Sequence, residues 1–64
     1  MISLTRMNDV RFVLNAELIK YIEQTPDTVI TLINGDRVMV REGVDEVVTR
    51  AIDYCRRIRA FKVE

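Results

Sequence analysis

At Gly43 the spacing of the apolar residues changes, and that single change limits what this chain can fold into. Before it, segments such as Ile2-Ser3-Leu4-Thr5-Arg6-Met7 alternate apolar and polar residues, the period of a half-buried strand. After it, Val44, Val47, Val48, Ala51, Ile52, Cys55 and Ile58 recur by threes and fours, the stripe of an amphipathic helix. A chain that switches period once, late, is expected to be α+β: a small antiparallel sheet of about five short strands joined as hairpins, then one C-terminal amphipathic helix. The helix is predicted from Val44 to about Phe61, with Gly43 as its N-cap. Asp45 and Glu46 sit in its first turn and Arg56, Arg57, Arg59 and Lys62 near its end, which is the charge order that complements the helix dipole.

The strands are separated by recognisable turn chemistry. Val10-Arg11-Phe12-Val13-Leu14 is predicted to pair with the first segment across Asn8-Asp9, two residue types that tolerate positive φ. From Asn15 to Gln24, one helical turn capped by Asn15 is followed by a short strand. Thr25-Pro26-Asp27-Thr28 is a turn, because Pro26 pre-sets φ for the first central position and Asp27 suits the next. Val29-Ile30-Thr31-Leu32-Ile33 then leads into Asn34-Gly35, a strong hairpin signal, and Asp36 to Arg41 returns as the partner.

With 64 residues the chain is expected to be one domain, 1–64, and only about 60% of the surface of an unfolded chain this short is buried on folding. Such thin cores gain stability from disulfides, metals or self-association. The lone cysteine, Cys55, has no intramolecular partner and the chain has no histidine, so self-association is the route left, in a reducing compartment. Met1 to Leu4 shows no basic region followed by an apolar stretch and no apolar run approaches a membrane span of about 18 residues, so a cytoplasmic location is expected. Ten Lys+Arg balance ten Asp+Glu, which argues neither for nor against nucleic acid.

Catalytic chemistry is poorly supported, with neither histidine, nor a glycine-rich phosphate loop, nor a nucleophile at a recognisable spacing from a base. No enzyme, cofactor, metal or small-molecule substrate is expected. Cys55, on the apolar stripe between Ile52 and Ile58, is expected to be a buried, inert thiol, and Asp27, Asn34 and Asp36 to be turn residues. Arg50, Arg56, Arg57 and Arg59 are candidate contacts for an acidic partner; the plainer alternative is a solvated helix end. The strand Val29 to Ile33 is apolar on both faces while one helix covers only one. Val29, Thr31 and Ile33 are therefore candidates for self-association into a homo-oligomer.

LTRMN at Leu4 to Asn8, FVLNAELI at Phe12 to Ile19, IEQTPDTVITLING at Ile22 to Gly35 and VREGVDEVV at Val40 to Val48 together resemble the FlbD/SwrD family of small flagellar proteins over nearly the whole chain. Asp9, Ile33 and Gly43 depart from its pattern, which has glycine, threonine and serine there. The resemblance implies a cytoplasmic accessory of bacterial flagellar motility and swarming, peripheral at the flagellar base and supporting motor power through the stator by protein contact. A second resemblance is confined to the ends. Met1 to Arg6 and Val40-Arg41-Glu42 are similar to the carbon-storage-regulator family of dimeric RNA-binding proteins, which would make Leu4, Arg6 and Arg41 contacts to RNA; Asn15 to Gly35 does not match it.

Overall fold

The computed structural model describes residues 1–62, with side chains to residue 58. Five short antiparallel strands precede one helix, the α+β order expected: β1 (Ile2–Thr5), β2 (Arg11–Leu14), a 3-10 turn (Ala16–Leu18), β3 (Ile19–Gln24), β4 (Thr28–Leu32), β5 (Arg37–Val40) and α1 (Val44–Lys62). β1 and β2 form a hairpin, and β3-β4-β5 a meander. The two sheets are stitched together where β5 ends, by a bridge between Arg6 and Val40 and by the Arg41 N–H donating to the Thr5 carbonyl at 2.8 Å. The C-terminal end of β1 is thus held on both sides.

The two hairpins that flank this seam share one loop geometry. In the first, Arg6 N–H donates to the Val10 carbonyl and Asp9 N–H to Arg6; in the second, Leu32 donates to Asp36 and Gly35 to Leu32. The Asn8 and Asn34 side chains each accept the backbone N–H two residues on, at 3.1 and 2.9 Å. Both loops therefore hold three residues, where the sequence suggests two, and the third is left-handed: Asp9 at φ 69° and Gly35 at φ 94°. The extra loop residue of the second hairpin is Ile33. The Thr25-Pro26-Asp27 connection is a turn as expected, with a cis Thr25–Pro26 peptide. Asn15 caps the 3-10 turn through the Glu17 N–H at 3.1 Å, also as expected.

Inward residues alternate along each strand. Ile2, Leu4, Leu14, Ile30, Leu32 and Val40 meet Val47 of the helix in one core, with Phe12, Ala16, Ile19, Ile22, Val38 and Tyr54 packed around it. A β-bulge between Ile19 and Tyr21 turns Ile19 and Ile22 inward and leaves Tyr21 out.

Candidate functional site

Three devices seat α1 on the sheets. Gly43, the expected N-cap, accepts the Val47 N–H at 3.1 Å, while the Gln24 side chain at the end of β3 accepts the Val44 N–H at 3.2 Å. Glu42, just before the helix, accepts both the Thr5 N–H and the Thr5 hydroxyl at 2.9 Å, and the Arg50 guanidinium at 3.4 Å. Arg50 also donates to Glu46 at 2.9 Å and to the Ser3 carbonyl. Burial pushes the Glu42 carboxyl up, but the Thr5 and Glu42 backbone N–H groups, the Thr5 hydroxyl and Arg50 together bring it below its usual value. Further along, the Tyr54 hydroxyl donates to Glu17 at 3.3 Å; desolvation, with the Glu17 charge beside it, raises the phenol above its usual value.

These anchors set the rotation of the helix, and so decide which part of its apolar stripe is used. Val47 is fully buried and Ala51, Tyr54 and Ile58 are half-buried, whereas Val48, Ile52 and Cys55 face outward. The buried-thiol expectation for Cys55 is therefore wrong: the stripe is wider than two small sheets can cover, and the half carrying Cys55 is the half left out. The exposed strip Val48–Ile52–Cys55 is bordered by Asp45 and Arg56, and shallow hollows lie on both sides of Ile52.

Among the described side chains, the basic residues singled out from the sequence do not form one cluster. Arg50 points into the domain as the clamp just described. Arg57 is exposed and pairs with Asp53 at 2.8 Å, and Arg56 is exposed beside Ile52. The Arg59 side chain lies outside the described ones. On the β3-β4-β5 sheet, Val29 and Thr31 share the face away from the core, as expected. However, Thr31 is only 7% exposed, covered between Tyr21 and Arg37, and Glu23 reaches Arg37 across β4 at 3.8 Å. Ile33 belongs to the turn beyond β4 and is 63% exposed. Val29, Thr31 and Ile33 consequently do not make one apolar face.

Among the described residues no group of His, Cys, Asp or Glu is arranged to hold a metal ion. Nor, among them, is any helix long and apolar enough to cross a membrane. Of the residues that the RNA-binding resemblance would use, Leu4 is 1% exposed. Arg6 lies over the Phe12 ring at 4.4 Å, and Arg41 is bound to Asp9 at 2.7 Å and to the Met7 carbonyl at 2.8 Å. β1 pairs with β2 along one edge, and at its C-terminal end the bridge between Arg6 and Val40 occupies the other.

What the geometry defines is a miniature α+β module whose distinctive surfaces are an outward helix strip and an outer sheet face. Its sequence matches the model of the FlbD family, flagellar and swarming motility proteins, over residues 1–59, and the chain belongs to that family. Membership gives it a role in flagellar and swarming motility. No curated protein and no solved structure matches the chain.

Proposed function

We propose that this protein supports the power of the flagellar motor by contact with a motor or stator component, acting from the cytoplasm at the flagellar base and catalysing no reaction. The family match over residues 1–59 carries this reading, since it spans every strand and most of the helix. Within it, Pro26 to Gly35, the stretch whose resemblance to the family is most specific, builds the central strand β4 and both of its turns. A non-catalytic role agrees with the surfaces available: Tyr21, Met39, Val48 and Ile52 are exposed apolar side chains flanked by charges, the composition of a protein contact. Deleting the gene should impair swimming or swarming while flagellar filaments still assemble. Normal motility of the deletion strain, or loss of the filaments themselves, would count against the proposal.

A further inference from the structure

The outward strip of α1 has the two properties that a self-complementary helix contact needs. The first is shape. Val48 is 37% and Ile52 47% exposed with Cys55 beside them, so the strip is a short ridge. The hollow on one side is lined by Ala51, Cys55 and Arg56 and the one on the other by Thr49, Asp53 and Arg56. A ridge flanked by grooves is what lets two helices interdigitate.

The second property is charge. Asp45 lies at the N-terminal end of the strip and Arg56 at its C-terminal end, both exposed. Among the described residues neither makes an ion pair, although Glu46, Asp53, Arg50 and Arg57 on the same helix all do. Side by side and parallel, two such strips would set Asp45 against Asp45 and Arg56 against Arg56. Turned antiparallel about a two-fold axis at Ile52, they place each Val48 against the stem of the partner's Arg56. That guanidinium then reaches Asp45 one turn further on, and the attraction is made twice. Such a two-fold contact closes on itself and stops at two copies.

We propose that the occupant of this strip is a second copy of this chain, docked helix to helix and antiparallel with Ile52 at the crossing. The proposal is independent of the motility reading and replaces the outer face of β4 as the site of self-association. The contact is small, below about 1,200 Å², and belongs with weak, reversible interfaces.

The test is the solution mass of the full chain, measured by sedimentation up to about 1 mM, where even a millimolar contact is substantially formed. The average mass of wild type should rise with concentration from one chain towards two. Ile52→Glu should stay at one chain with unchanged helicity, because Ile52 is nearly half exposed and outside the core. Asp45→Arg and Arg56→Asp should each weaken the dimer, and the two together in one chain should restore it. Independently of any effect on folding, Ile52→Cys in a Cys55→Ser background should give a disulfide dimer when oxidised with diamide. The natural Cys55, which this geometry sets against the partner's Thr49, should not. A wild-type mass of one chain throughout, a helical double charge swap that remains monomeric, or cross-linking through Cys55 in preference to position 52 would each overturn the proposal.

Discussion

Glu42→Gln keeps the shape of the side chain that ties α1 to β1 and removes its charge. In the wild type the carboxylate accepts from the Thr5 N–H and hydroxyl at 2.9 Å each and from Arg50 at 3.4 Å, with its side chain only 14% exposed. Hydrogen bonds to a charged acceptor contribute about 1.5–3 kcal/mol against about 0.5–1.5 for a neutral one, and an amide also turns an NH2 toward either the hydroxyl or the guanidinium. The partly exposed Arg50 contact adds at most about 1 kcal/mol. The loss at neutral pH should be about 2 kcal/mol, or about 8–16 °C in Tm for a domain of this size. The sign with pH follows from the direction of the shift. The folded carboxyl titrates below its usual value of 4.5, so its stabilisation is complete above that pH and is lost as the pH falls through the folded value. Urea unfolding of wild type and Glu42→Gln, followed by far-UV circular dichroism at stepped pH, should therefore show a gap that is widest at pH 7 and closes in acid. A gap under about 0.5 kcal/mol at neutral pH, or one of constant size down the pH series, would refute the role given to Glu42.

Gly35→Ala should cost about 1–2 kcal/mol in the same assay, because Gly35 sits at φ 94° and an added Cβ would meet no atom within 4 Å to compensate; a neutral result would show that the loop re-forms in another geometry. Thr31→Val should be neutral to stabilising by about 1 kcal/mol, since among the described residues the buried Thr31 hydroxyl has no partner. A clear destabilisation by that substitution would mean that the hydroxyl is satisfied.

Much of this architecture is legible in the sequence because its signals are local. Asn34-Gly35, the Pro26 turn, the Asn15 cap and the change of period at Gly43 each act within a few residues, and all mark real element boundaries. What escapes is set at long range. The inward face of α1 is chosen by Glu42, Arg50 and Tyr54 reaching Thr5, Ser3 and Glu17, contacts that span between 37 and 47 positions of sequence. An apolar stripe wider than its sheet does not reveal which half is buried, and so Cys55 is expected inside and lies outside. Tyr54, seven residues after Val47 and on the same helix face, was the available sign of the true rotation. Similarly, Ile33 reads as the fifth residue of an apolar strand until the extra loop position moves it into the turn. Arg50 looks like its basic neighbours until Glu42 is placed beside it.

On the proposed reading, this chain supports motor power without taking part in filament assembly. The most direct measurement is the torque of single motors in tethered cells of a deletion strain, with and without the gene restored. Reduced torque on cells that still carry normal numbers of flagella, recovered on complementation, is the predicted result. Unchanged torque per motor, with motility lost for another reason, would contradict the account.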